Sequence, residues 1–188
     1  MGRELEYKYK GTETAFAALG QRFAPFTETK METTYYDTPD AALSKRRWTL
    51  RRRMENAISV CTLKVPLPDG SRGEWEAEAP SIEEGLEALC RCGAPGELRE
   101  VTGLSPICGA RFTRLAALVT LPDAKLELAL DRGVLLGGGK EQPLLEIEAE
   151  YKEGKEAAYH AFGSALAREF GLEEEPLSKF ARARRLCL

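Results

Sequence analysis

Histidine is nearly absent from this sequence and cysteine is sparse. His160 is the single histidine, and Cys61, Cys90, Cys92, Cys108 and Cys187 make an odd count of five. Zinc centres draw on closely spaced Cys and His pairs; here Cys90 and Cys92 form an isolated C-x-C with no second pair, which argues against a zinc site. A chain of 188 residues can bury a core without disulfide staples, so the odd thiol count fits a reducing compartment and a cytoplasmic location. Long apolar runs are missing. Nothing approaches the roughly 18 apolar residues of a membrane span, and the opening MGRELEYKYK lacks the apolar segment of a secretory signal, so no membrane partner is expected. Excess basic charge is missing as well: 27 Lys and Arg against 30 Asp and Glu give a net charge of -3, and no nucleic-acid partner is expected. Gly137-Gly138-Gly139-Lys140 has neither the spacing nor the following helix of a P-loop. What remains is one globular domain over residues 1–188.

Alternation is what the sequence has in quantity. From Arg3 to Lys10, Glu4, Glu6, Lys8 and Lys10 fall on one side and Leu5, Tyr7 and Tyr9 on the other, the period of a strand. Further strands are expected at Glu28–Asp37, Trp48–Met54, Ile58–Val65, Gly73–Ala79, Ile107–Leu121, Lys125–Leu130, Gly133–Leu136 and Leu144–Lys152. Turn residues separate them, among them Glu55-Asn56, Asp69-Gly70, Pro122-Asp123 and the three glycines from Gly137. Thr12 can cap a helix to about Phe23. Ser81 with Glu84 forms a capping box for a helix to about Cys92, and a helix from Lys155 to Phe170 stops at Gly171. A short basic helix is expected within Pro176–Leu188, and Glu97–Pro106 carries no clear pattern. Eight or nine strands with a few helices predict a mainly-β α+β fold, an antiparallel sheet or closed barrel with helices outside.

The charged face recurs from strand to strand. Parity groups Arg51 with Arg53, Thr62 with Lys64, Arg72 with Glu74, Glu76 and Glu78, Glu127 with Asp131, and Glu146 with Glu148 and Glu150. A solvated sheet face would look the same. The opposite sides carry Leu5, Leu63, Leu126, Leu128, Leu145 and Ile147, however, so a sheet that closes must turn one of the two faces inward. If the charged face turns inward, the interior is an ion-binding tunnel. Polyphosphates suit such a lining, because guanidinium and ammonium groups bind phosphate oxygens and carboxylates hold a hard cation such as Mg²⁺ or Mn²⁺. Crowding one sign alone into a closed interior would be costly, and alternation of acid and base offsets that cost. Trp48 reads as a structural or rim aromatic, with stacking on an organic end group as the alternative; His160 reads as a surface or packing residue of its helix. Among the basic tail residues Lys179, Arg182, Arg184 and Arg185, one or two can reach the interior.

The sequence also resembles the CYTH superfamily, the triphosphate tunnel metalloenzymes. The likeness starts with E-x-E-x-K at Glu4-Leu5-Glu6-Tyr7-Lys8 and continues through Tyr35-Tyr36-Asp37-Thr38, Leu50-Arg51-Arg52-Arg53, Thr62-Leu63-Lys64, the R-x-E-x-E of Arg72, Glu74 and Glu76, Arg111 and Arg114, Glu127 to Gly133, Glu146-Ile147-Glu148-Ala149-Glu150 and Ser178-Lys179. The resemblance implies an eight-stranded antiparallel β-barrel whose interior binds a triphosphate and one or two divalent metal ions, Mg²⁺ or Mn²⁺. It implies phosphate binding by Lys8, Arg51, Arg53, Lys64, Arg114 and Lys179, and by Arg111, although Arg111 and Arg114 differ in strand parity. It implies metal binding by Glu4, Glu6, Glu146 and Glu148, with Glu76 and Asp131 as further ligands, and a catalytic set of Glu4, Glu6, Lys8 and Glu148. Within the family the sequence looks most like bacterial inorganic triphosphatases, notably in EIEAEYKEG from Glu146 to Gly154. The expected activity is therefore metal-dependent hydrolysis of inorganic triphosphate to diphosphate and phosphate. The alternatives are a thiamine or nucleoside triphosphatase, a class IV adenylate cyclase, which is disfavoured by the lack of a His-Phe segment, or a polyphosphate-binding module without turnover. The histidine-rich CHAD domain that often accompanies CYTH would be a separate chain, and monomer and homodimer both stay open.

Overall fold

The strand expected from Arg3 to Lys10 is interrupted at Leu5, and the interruption closes the sheet. In the computed structural model, which describes residues 2–68 and 71–188, the segment forms β1 (Gly2–Glu4) and β2 (Glu6–Lys10). Seven further strands follow: β3 (Thr27–Asp37), β4 (Thr49–Glu55), β5 (Ile58–Pro66), β6 (Arg72–Glu78), β7 (Ser105–Thr120), β8 (Ala124–Gly137) and β9 (Lys140–Gly154). All lie in one antiparallel sheet of order β1-β6-β5-β4-β3-β7-β8-β9-β2. Because β1 pairs with β6 and β2 with β9, the N-terminal strand joins both edges, and the ring is an eight-stranded antiparallel barrel. The N-terminal strand bridges part of each edge, Arg72–Glu74 of β6 and Glu146–Glu150 of β9, and supplies hydrogen bonds there that an open sheet would leave free.

Among the described residues there are five α-helices: α1 (Glu13–Arg22), α2 (Ala42–Lys45), α3 (Ile82–Arg91), α4 (Glu156–Phe170) and α5 (Lys179–Arg185). Their ends follow the sequence signals. The Thr12 and Ser81 side chains accept hydrogen bonds from the backbone N–H groups of Ala15 and Glu84, and Gly171 ends α4 with φ 61°.

Two expectations change. Lys125–Leu130 and Gly133–Leu136 are one continuous strand, β8, because Asp131-Arg132-Gly133 stays extended. Gly133 marks a close approach of neighbouring strands: a Cβ there would lie 2.1 Å from the Arg111 carbonyl oxygen. The patternless stretch contains a 3₁₀ turn, Gly96–Glu100, that buries Leu98, and the strand after it begins at Ser105. Asp69-Gly70, expected as a turn, lies outside the described residues.

The apolar core sits outside the barrel wall, beneath the helices. One cluster gathers Trp48, Leu50, Leu63, Trp75 and Leu89 under α3; another gathers Leu19, Leu126, Leu128, Ile147 and Tyr159 under α1 and α4. Along β8, Leu126, Leu128 and Leu130 are buried on the outer face while Glu127 and Asp131 point inward. At one end the interior itself becomes apolar, where Met31, Ala110, Phe112, Leu135 and Leu144 pack against Ala183 of α5. The remainder of the interior is left to charge.

Candidate active site

A cavity of about 680 Å³ occupies the barrel interior. One wall is built by β4, β5, β6 and β1. On β4 the period of two turns Thr49, Arg51, Arg53 and Glu55 inward. Arg51 Nη2 lies 3.7 Å from Glu74 and 3.8 Å from Glu76, and Arg53 donates from Nε to Glu55 at 2.7 Å. Lys64 of β5 contacts Glu4 and stands 3.3 Å from Glu74. Glu76 accepts a hydrogen bond from Thr62 Oγ1 at 3.0 Å.

The other wall is built by β7, β8, β9 and β2, with α5 across it. Arg114 grips Asp131 through two bonds, at 2.8 and 2.7 Å, and also touches Glu148. Lys179 Nζ stands 2.8 Å from Asp131 and 2.6 Å from Glu148, and contacts Glu146. Arg182 contacts Glu146 and lies 3.4 Å from Glu175. Asp131, Glu146 and Glu148 thus face three resident cations. Glu6 and Lys8 stand beside them, 3.4 Å apart, with Lys8 opposite Glu148 in the strand register.

Electrostatics separate the carboxylates. Burial, then Glu148 and Glu4 nearby, push Glu6 up to about 7, with Lys8 and Lys64 opposing. Burial likewise raises Glu146 to about 7. Glu148 is held well below the carboxylate range: burial acts to raise it, and Lys179 and Arg114 overcome that effect. Lys179 is raised above the usual lysine value by Asp131, Glu148 and Glu146 acting against burial. Crowding of like charge is thus felt at Glu6, which has Glu148 and Glu4 as its acidic neighbours.

The structure brings Glu4, Glu6, Lys8, Arg51, Arg53, Lys64, Glu76, Arg114, Glu148 and Lys179 to the cavity lining. Asp131 and Glu146 lie beneath that lining, fully buried. Arg111 is placed elsewhere: its opposite parity turns it outward, where it is 62% exposed and 3.3 Å from Glu141, which corrects the expectation that it faces the interior. Glu76 stands with Arg51 and Arg53, which puts its carboxylate among guanidinium partners. Glu55, Glu127, Glu150 and Lys152 also line the cavity; parity with Arg53, Asp131 and Glu148 was the signal that marks them. His160 is on the outside, its Nδ1 2.9 Å from the Tyr7 hydroxyl, and Trp48 is built into the outer core.

Metal-ligand chemistry can be tested against this arrangement. The oxygens of Asp131, Glu146 and Glu148 lie within 4.8 Å of one another, a spacing that suits a cation, but the Lys179 ammonium stands among them. Glu4, Glu6 and Glu148 add carboxylate oxygens to the cavity lining without forming a second group that tight among the described residues, and no histidine or cysteine among the described residues lines the cavity. An all-oxygen, acid-rich donor set fits a hard divalent cation.

Comparison with known proteins agrees with the geometry. An inorganic triphosphatase of Haemophilus influenzae is 32% identical over 191 residues, covering 97% of this chain and 54% of that protein, so the chain spans about half the length of this relative. Two solved structures share the fold. The Hippeastrum protein HpAC1, which has a dominant triphosphatase activity, superposes with a TM-score of 0.69 at 23% identity, covering 98% of this chain and 97% of the other. PH1819 of Pyrococcus horikoshii superposes with a TM-score of 0.64 at 22% identity, covering 95% and 97%. No helix among the described residues is long and apolar enough to cross a membrane. The CYTH domain model matches residues 2–183, and the chain belongs to the CYTH domain family.

Proposed function

We propose that the protein hydrolyses inorganic triphosphate to diphosphate and phosphate inside the barrel, with Mg²⁺ or Mn²⁺ as cofactor. The observation that carries this reading is the convergence of Lys8, Arg51, Arg53, Lys64 and Arg114 with Glu4, Glu6 and Glu148 on one cavity in the barrel interior. Arg51 and Arg53, two residues apart on β4, would bind successive phosphates through their guanidinium groups, and Lys8 and Lys64 would add point charges. Glu4, Glu6 and Glu148 would hold the metal. When bound, the cation neutralises charge on the transferring phosphoryl group and polarises the attacking water. Water attacks the terminal phosphorus in line, the bond to the bridging oxygen breaks, diphosphate leaves on the basic row, and the proton released by the water passes to the phosphate oxygens or to solvent. Lys179 keeps Glu148 ionised and in place, while Arg114 is shared between Asp131 and Glu148 at the edge of the cavity. The name of the Haemophilus relative supports the choice of substrate.

The test is phosphate release from inorganic triphosphate, ATP and thiamine triphosphate with Mg²⁺, with Mn²⁺ and with chelator. Fast metal-dependent release from inorganic triphosphate is the expected result. Preference for an organic triphosphate would move the substrate, and tight triphosphate binding with no release would make the protein a binding module.

A further inference from the structure

A second cavity, about 310 Å³, opens beside the first and shares Thr49, Arg72, Ser178, Phe180 and Ala181 with it. Its own additions include Ser44, Arg47 and Trp48. The contrast in charge is sharp: the main cavity mixes acids and bases, whereas this annex carries two arginines and, among the described residues, no aspartate or glutamate. Arg72 stands at the junction. Its Nη2 donates to Thr49 Oγ1 at 3.2 Å, and its Nε is buried without a hydrogen-bond partner. Arg47 is exposed at the outer side, forms no side-chain hydrogen bond or ion pair among the described residues, and has φ 59°, a left-handed conformation that costs a non-glycine residue energy. Other polar groups there are committed: the Ser44 hydroxyl donates to Asp37 at 2.6 Å, and the Ser178 oxygen accepts from the Ala181 N–H. Trp48 is 9% exposed and the Arg46 guanidinium lies over its ring at 5.8 Å, which leaves little of the ring for stacking.

We infer that the annex is an additional phosphate subsite, which lets the barrel bind linear polyphosphates longer than three units, with the extra phosphoryl group held by Arg47 and Arg72. The inference rests on the triphosphate reading of the main cavity. It follows from continuity and charge. A chain bound along Arg53 and Arg51 of β4 meets Thr49 next, where Arg72 is anchored, and then Arg47 two residues further on. Guanidinium without a carboxylate partner recognises phosphate.

The test uses calorimetric binding of inorganic triphosphate, inorganic tetraphosphate and ATP, in chelator, to the wild-type protein, Arg47→Gly and Arg47→Lys. Glycine tolerates the positive φ, so the first variant removes charge without adding strain. The expected result is that wild type binds tetraphosphate more tightly than triphosphate. Arg47→Gly then weakens tetraphosphate binding about tenfold with triphosphate unchanged, and Arg47→Lys retains most of the affinity. Equal affinity of wild type for the two chains, or equal loss for both in Arg47→Gly, overturns the subsite. Loss confined to ATP overturns it in favour of an organic-group pocket. Absence of triphosphate binding to wild type refutes the main-cavity reading instead, and is read separately from any dependence of tetraphosphate on Arg47.

Discussion

At the scale of single residues, strand parity decides whether a charge works inside the barrel or in water. Arg111 and Arg114 are three positions apart on β7: Arg114 faces the carboxylates of the interior, and Arg111 pairs with Glu141 outside. Arg111→Ala is expected to leave triphosphate turnover within about twofold of wild type. Arg53→Ala removes a guanidinium from the interior, and a charge-assisted contact is worth about 1.5–3 kcal/mol. Its KM for triphosphate is expected to rise by about tenfold or more at any metal concentration. Glu148→Gln is expected to behave differently: turnover falls, and raising the metal concentration restores part of it, because the lost charge acts on metal affinity. Steady-state kinetics over a metal titration separates the two. Lys179 raises a stability question. Lys179→Met leaves Asp131, Glu146 and Glu148 with one cation fewer in a buried setting, a change that costs about 3–5 kcal/mol when one partner of a buried pair is removed. The denaturation midpoint in urea is expected to fall accordingly, and an unchanged midpoint would show that water already screens this cluster.

Elements show the same logic in reverse, since the outer faces of the strands hold the fold together. Leu128 is fully buried between β8 and the helices, and Leu128→Ala is expected to destabilise the protein by about 2–5 kcal/mol. That loss should appear in thermal unfolding while the affinity for triphosphate stays unchanged. Much of the element pattern was legible beforehand. Thr12 and Ser81 cap helices because a short hydroxyl side chain satisfies a free N–H wherever the backbone turns into a helix, and that is a local matter. β8 was not legible as one strand. Asp131-Arg132 falls between two expected strands, and it remains extended because long ladders on both sides, to β7 and β9, supply hydrogen bonds that no local rule foresees. Leu5 likewise marks no break in the alternation. The interruption there arises because the two halves of the strand pair with different partners.

For the whole molecule, the interior's charge makes stability depend on pH, and the proposed metal would add to that dependence. Glu6 and Glu146 have their folded values pushed up to about 7 from an ordinary carboxylate value of 4.5. A raised value means that the folded state prefers the protonated form. Their contribution is therefore fully present below about 4.5 and is lost as pH rises through about 7. Glu148 is lowered, so its own contribution is lost only on acidification below the ordinary range. Between pH 8 and pH 5 the metal-free protein is expected to gain several degrees in melting temperature as pH falls, and Mg²⁺ or Mn²⁺ is expected to stabilise it most at pH 8, where the carboxylates are charged. A metal-free melting curve independent of pH over that range would contradict the crowded-carboxylate picture of Glu6.

The sequence by itself determined the alternation of charge and leucine, the helix caps, most strand positions and the family motifs, because each depends on residues near one another in the chain. It also made Arg114 and Arg111 incompatible in direction, since parity is a property of one strand. Which face of the sheet turned inward was decided only by closure: the pairing of β1 with β6 and β2 with β9 rolled the charged face inside and left the leucines to the helices. The tertiary structure also decided that Asp131 and Glu146 lie under the lining in the grip of Arg114, Lys179 and Arg182. Those cations come from β7 and α5, and electrostatic pairing between segments so far apart in sequence exists only once the chain has folded.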